Sequence, residues 1–437
     1  MFNKQLGELD VKTYVEFILK LIFMRSSWFP AIVVLSILML MDFQAYSQEF
    51  HSISGVVRDA RTRRPLPFAN VFIPGTTIGT VTNLNGVFSL KVQANIESKE
   101  FGISHLGFHT SLFNILEQVG TGKVFFLEPH TISLPEFVLR PQNPRELVRL
   151  AVRRIEQNFP QHPQRLIAFY REAIKQRRDY VHIAEAIVEI DQTGYGPQSA
   201  RDRTRILQAR KSGDVKRMDT LIVKLQGGPH VAMLLDVVKN PNVILDPQLL
   251  DAYDYELVDV VSLEGEPHYV IDFSPAVRME FPLYYGRVYI NMHSMGISKM
   301  EFSLDLSNRE KAASNFIIRR PPRLRFVPTR TNYMVTYTNI NGLYQLSYVR
   351  AEMEFFADWR LRLFRTGYTL MSEMAITERM PAESDRMALR ETFRPTNILS
   401  ELVPMYFDEE FWGAYNVIEP EESIDLAIQR FNQRFEE

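Results

Sequence analysis

His182, Ile183, Ala184 and Glu185 set a histidine and a carboxylate three residues apart, the spacing at which a zinc peptidase presents two of its ligands. Such a site needs three protein ligands and an open coordination position. Residues Tyr180–Ile190, however, are rich in β-branched and apolar types and read as a strand, where positions three apart point to opposite faces. No His-rich segment follows, and His230, His268 and His293 stand alone in the sequence. No metal site is expected. The chain also holds no G-x-S-x-G elbow, no H-E-x-x-H and no Walker loop, so no catalytic residue is assigned. Gly194-Tyr195-Gly196-Pro197 opens like a dinucleotide fingerprint, but the proline follows at once and no βαβ pattern surrounds it. It reads as a turn, and no cofactor is expected.

Two other groups of residues invite a binding role. Arg201 to Arg205 with Arg210 and Lys211, and Arg319 to Arg325, are basic enough for phosphate or lipid head groups. Solvated faces paired with nearby acids account for them more simply. Aromatic residues make up 12% of the chain. Tyr284, Tyr285 and Tyr289 form one tight group, and Phe355, Phe356 and Trp359 form another, with Phe364 close by. They are the candidate lining of a cavity for an apolar ligand, with packing of a large sheet as the alternative.

The elements that must position these residues follow from the patterning. Between Ile53 and Leu127, short β-type runs alternate with Gly, Pro and Asn turns, which is the texture of a β-sandwich. Glu128–Asn143, with Pro129, Pro135 and Pro141, reads as a linker. Asn143-Pro144 then opens a helix, with Asn as N-cap, Pro in the first turn and Glu146 near the positive end of the dipole. Val148, Val152, Ile155 and Phe159 give it one apolar stripe. Lys299–Leu306 alternates as a half-buried antiparallel strand. Tyr333, Val335 and Tyr337 do the same, and Asn341-Gly342 marks a hairpin leading into Tyr344, Leu346 and Tyr348. Val231–Val238 and the residues around Leu249 read as short helices. Phe411, Trp412 and Tyr415 form an aromatic anchor ahead of a C-terminal helical stripe on Ile424, Ala427, Ile428, Phe431 and Phe435.

Composition bounds the function classes. A chain of 437 residues with 46% apolar content buries a real core and has room for two or three domains. The absence of cysteine excludes disulfides, thiol catalysis and cysteine lipidation. The formal net charge of −2 speaks against a polyanion partner, and no nucleic acid is expected. Near the N-terminus, Arg25, the apolar run Pro30–Met41 and Ala45-Tyr46-Ser47 are the parts of a secretory signal peptide. The run is shorter than the ~20 apolar residues a membrane-spanning helix needs. Translation is expected to begin at Met24, with cleavage after Ser47.

Four blocks occur in order: Gly55-Val56-Val57; Pro65-Leu66-Pro67-Phe68-Ala69-Asn70-Val71; Gly79-Thr80-Val81-Thr82-Asn83 with Gly86 and Phe88; and Ser104-His105-Leu106-Gly107-Phe108. That succession resembles the carboxypeptidase-regulatory-like, transthyretin-type domain of Gram-negative envelope proteins. The resemblance implies a non-catalytic accessory β-domain. The family usually has Asp where this chain has Asn83, so no carboxylate-dependent ion site is carried over. Ala168-Phe169-Tyr170-Arg171-Glu172, Gly227-Gly228-Pro229, Tyr284 to Ile290 and Phe411-Trp412-Gly413 resemble the remainder of envelope proteins that carry this domain. The long strands with a helix are similar in texture to the half-barrel of LolA-type lipoprotein carriers.

The expected order is therefore a signal region at 1–47, an all-β sandwich at 50–128, a linker at 129–143, an α+β domain on a large curved antiparallel sheet at 144–400, and the anchor and helix at 401–437. The expected role is a non-catalytic exported protein that binds or scaffolds other envelope components. A periplasmic carrier of lipid or another apolar ligand is the alternative, and a hydrolase comes last. Expected partners are envelope proteins or an apolar ligand, with peripheral association to a membrane. The expected location is the periplasm or the outer membrane.

Overall fold

The computed structural model describes residues 50–130, 143–177, 179–196, 201–211, 224–225, 228–307, 317–319, 324–359, 365–382, 385–406 and 415–420. The signal region, most of the linker, Phe411-Trp412 and the C-terminal helical stripe lie outside them. Phe50–Glu437 is one compact unit.

Its N-terminal part is a small sandwich. One sheet has the order β4-β1-β7, from β1 (Phe50–Asp59), β4 (Val87–Gln93) and β7 (Gly120–Leu127). The other has the order β3-β2-β5-β6, from β2 (Asn70–Phe72), β3 (Gly79–Val81), β5 (Glu100–Ser104) and β6 (Ser111–Asn114). Ile53, Val57, Val71, Phe88, Phe101, Ile103 and Phe125 fill the space between them. Turn chemistry sets the corners. The Asn83 Oδ1 accepts from the backbone N–H of Asn85 and Val87 at 2.9 and 3.0 Å. Gly86 takes φ 74°, where a side chain is disfavoured.

The rest is built on an open antiparallel sheet of ten strands. Its strands are β8 (Gln164–Gln176), β9 (Asp179–Gln192), β10 (Arg203–Lys211), β12 (Tyr253–Leu263), β13 (Glu266–Pro275), β14 (Tyr284–Asn291), β15 (Ile297–Leu304), β17 (Leu324–Ile340), β18 (Leu343–Trp359) and β19 (Thr366–Pro381). Their order is β10-β9-β8-β19-β18-β17-β15-β14-β13-β12. Short β11 (Lys224–Leu225) and β16 (Ile317–Arg319) pair separately.

One face of this sheet holds the main core. Tyr170, Val188, Ile271, Val288, Met300 and Val335 lie there, covered by α1 (Pro144–Arg153), α2 (Ile155–Asn158) and α3 (Pro229–Leu234). Asn143 caps α1 as its sequence predicts, accepting from Arg145 N at 3.1 Å. The expected single helical stripe is broken at Arg154, but Val148, Ile155 and Phe159 still reach the core.

The opposite face carries the N-terminal sandwich. Phe68 and Val81 pack against Ile167, Phe169, Ile187, Met334 and Tyr348, together with Ile418, Tyr415 and Val417. Hydrogen bonds pin the same interface. Thr80 Oγ1 donates to Val417 O at 3.3 Å, Asn83 Nδ2 donates to Glu419 O at 3.0 Å, and Asn416 exchanges two bonds with the Lys91 backbone. Tyr348 reaches this face because of a bulge. The pairing shifts between Thr336↔Tyr348 and Tyr337↔Leu346, so Leu346 and Tyr348 point to opposite sides of the sheet.

Candidate ligand cleft

The face under the sandwich carries one continuous row of charge. Register partners run Arg210↔Glu185↔Arg171↔Glu373↔Arg350↔Met334↔Glu301↔Arg287↔Asp272↔Glu256, one residue on each of the ten strands. Only Met334 is uncharged. Side chains directly opposite on one face of an antiparallel sheet lie about 4.5–5.5 Å apart, close enough for alternating charges to pair.

In the half of the row beneath the sandwich, Glu185, Arg171, Glu373 and Arg350 are buried. Arg171 Nε donates to Glu185 Oε1 at 2.7 Å, and its Nη1 donates to Glu373 Oε1 at 3.0 Å. Its Nη2 reaches Ile418 O at 2.6 Å. Arg210 Nε closes on the other oxygen of Glu185 at 2.6 Å. Arg350 and the Tyr348 hydroxyl both donate to Glu373 Oε2. Burial works against the charge on Arg171, but Glu185 and Glu373 outweigh it and hold its pKa above the ordinary guanidinium value. Glu185, fully buried between Arg171 and Arg210, points away from the face that carries Ala184 and Ala186. It shares no site with His182, three residues back on the strand. No group of three potential metal-binding side chains occurs among the described residues.

The other half of the row is open. Beside the sandwich, a cleft of about 1040 Å³ uses it as a floor. Asp254, Glu256, Asp272, Ser274, Tyr285, Arg287, Glu301, Ser303, Asn332, Arg350 and Glu352 alternate up its strands, and Phe68 and Leu84 of the sandwich overhang it. Arg287 grips Asp272 with two bonds, at 2.6 and 3.1 Å. Glu301 accepts from Lys299 at 2.7 Å and from the Tyr289 hydroxyl at 3.1 Å. Burial pushes its carboxyl up, but Lys299 and these hydrogen bonds leave its pKa below the ordinary value.

The six aromatic residues singled out in the sequence are not brought together. Tyr285 lines the cleft and is 48% exposed. Tyr284, one residue away, packs on the main core across the sheet, edge-on to Phe302. Tyr289 is buried under Lys299 and bonded to Glu301. Phe355 packs between Phe326 and Tyr368, and Phe356 is exposed beneath Arg365. The side chain of Trp359 lies outside what the structure describes. The basic stretch around Arg205 is paired, with Arg205 bound to Glu189 and Glu391. The floor acids gave no motif in the sequence, because their only shared feature is register.

Two buried carboxyls with raised pKa, Asp236 and Glu172, sit away from the cleft. Burial lifts Asp236 to about 6, although the Tyr195 and Tyr337 hydroxyls donate to it at 2.7 and 2.8 Å. Burial lifts Glu172 to about 7. Both face the main core, so neither is placed to act on a ligand in the cleft.

Comparison with known proteins fits the sandwich. Residues 53–139 match the CarboxypepD_reg-like domain family. This segment is a CarboxypepD_reg-like domain. No curated protein matches the chain. Among solved structures, a DUF1329 family protein from Desulfovibrio piger shares 9% identity at a TM-score of 0.24, covering 54% of this chain and 94% of that one. A LolA superfamily protein from Nitrosomonas europaea shares 12% at 0.20, covering 58% and 98%. MucB in complex with MucA(peri) shares 10% at 0.17, covering 55% and 100%.

Proposed function

We propose that this chain is a non-catalytic binding or scaffolding protein of the bacterial envelope, with the cleft between the CarboxypepD_reg-like domain and the ten-stranded sheet as its binding site. The observation that supports this most is the split charge row. One half is buried beneath the sandwich and paired strand to strand, with Arg171 also donating to Ile418 O, and the other half is left accessible as a cleft floor. Signal-like residues at 25–47 point to export, and the periplasm or the outer-membrane surface is the proposed location.

A second reading, a carrier of lipid or another apolar ligand, draws on the cleft volume and the overhang of Phe68 and Leu84. A volume of about 1040 Å³ lies just above the range for small-molecule pockets, about 300–1,000 Å³. Against it stands the floor, since apolar cover over charged side chains removes their hydration.

Cross-linking in the protein's own envelope, followed by native mass spectrometry, separates the two. Run wild type beside Ser303→Trp, which fills the cleft floor. Recovery of a polypeptide partner that the variant loses supports the scaffold. A lipid released on denaturation from wild type alone supports the carrier. Identical adducts on both proteins, or none on either, would sink the cleft as the binding site.

A further inference from the structure

We infer that the cleft takes an extended polypeptide segment bearing lysine or arginine, an inference that rests on the cleft being the binding site and names what fills it. The charge row alternates in sign at every ion-paired step until its open end. There, Asp272 faces Glu256 in direct register, acid against acid. Like charges directly opposite are destabilising in a sheet. Arg287 neutralises Asp272, but Glu256 is exposed and has no ion pair among the described residues. The side chain of Asp254, two residues along the same face, is 72% exposed, and its one ion pair among the described residues is with Arg145, at 3.7 Å. Among the described residues β12 is the edge of the sheet, with no further strand there to supply the cation that the alternation calls for.

A ligand cation suits the Asp254 and Glu256 edge on three counts. The charged cleft liners comprise five acids, Asp254, Glu256, Asp272, Glu301 and Glu352, against Arg287 and Arg350. The half-exposed Tyr285 ring and the Phe68–Leu84 overhang offer apolar surface for the long stems of lysine or arginine, and the ring face attracts a cation. The geometry favours a chain over a point ion. The floor runs from β12 to β18, five strand spacings of about 4.8 Å, or roughly 24 Å. An extended chain at about 3.4 Å per residue crosses that in about seven residues.

The test uses the full chain and a fluorescein-labelled Lys-Gly-Lys-Gly-Lys-Gly-Lys heptapeptide, read by anisotropy. Saturable binding is expected, weakening at least tenfold between 50 and 300 mM NaCl as screening tightens. Glu256→Gln is expected to weaken it about threefold to fivefold, the size of one exposed ion pair, and Ser303→Trp to remove it. The same heptapeptide with Glu for Lys should not bind. Equal binding of that inverted peptide, indifference to Glu256→Gln, or spermidine binding as tightly as the heptapeptide would each overturn the inference. Failure of the heptapeptide while Ser303→Trp still loses an envelope partner removes the ligand class and leaves the cleft standing.

Discussion

Arg171 on β8 donates at once to Glu185 on β9 and to Glu373 on β19, so one guanidinium joins three adjacent strands through side chains as well as backbone. All three groups are buried. Removing one member of a buried ion set leaves its partners uncompensated, at a cost of about 3–5 kcal/mol. Arg171→Met is therefore expected to lower unfolding stability by that amount, measured by urea titration. Adding Glu373→Gln to it should recover part of the loss. A single variant costing under 1 kcal/mol would show that the set is solvated.

Asn83 gives the interface its second fixed point. Its Oδ1 shapes the turn, while its Nδ2 donates to Glu419 O and Pro420 O. A carboxylate at this position keeps the turn but sets one oxygen against two carbonyls. Asn83→Asp is expected to cost about 1–3 kcal/mol, the range for leaving buried polar groups unsatisfied. Limited proteolysis should cut the variant earlier within 415–420 than wild type. Equal protection would mean that the Nδ2 bonds contribute little to docking.

These two residues show what the sequence can and cannot disclose. The strands around Lys299–Leu306 and Tyr333–Tyr348 are legible because burial of one face imposes a period of two. The Asn143 cap is legible because its chemistry is local. The charge row is not, because its members lie as far apart as Arg171 and Glu373 and meet only through register. Bulges such as those between Leu257 and Asp259 and between Thr336 and Tyr337 set that register, and nothing in a single sequence dates a bulge. For the same reason Tyr284 and Tyr285 read as one aromatic group, although the pleat sends them to opposite faces. Asn83 departs from its family's usual Asp, and the departure makes sense only once 415–420 is seen lying against it.

Glu264, on the tight turn between β12 and β13, contacts the sandwich through Ser104 Oγ at 3.4 Å. Burial raises its carboxyl to about 7. A carboxyl whose folded pKa exceeds its unfolded value contributes stability that is fully present below about pH 4.5 and is lost as pH rises through about 7. Glu264→Gln removes that titration. The variant should lose less stability than wild type between pH 5 and pH 8, by on the order of 1–3 kcal/mol in urea melts. Parallel curves for the two proteins would remove Glu264 from the account.

Gly286 tests how closely the cleft floor is built. It stands opposite Phe302 on β15, and a Cβ there would lie 2.1 Å from Glu301 O and 2.6 Å from Phe302 Cα. Both atoms belong to backbone, so relief requires β14 and β15 to part. Their separation would also displace Arg287 and Glu301, register partners in the open half of the row. Gly286→Ala should therefore cost about 1–3 kcal/mol or more, as overpacking does. It should also speed hydrogen exchange in β14 and β15 ahead of β8 and β9, whose ion pairs are remote from the strain. Uniform protection across all four strands would mean that the sheet absorbs the methyl group without opening the floor.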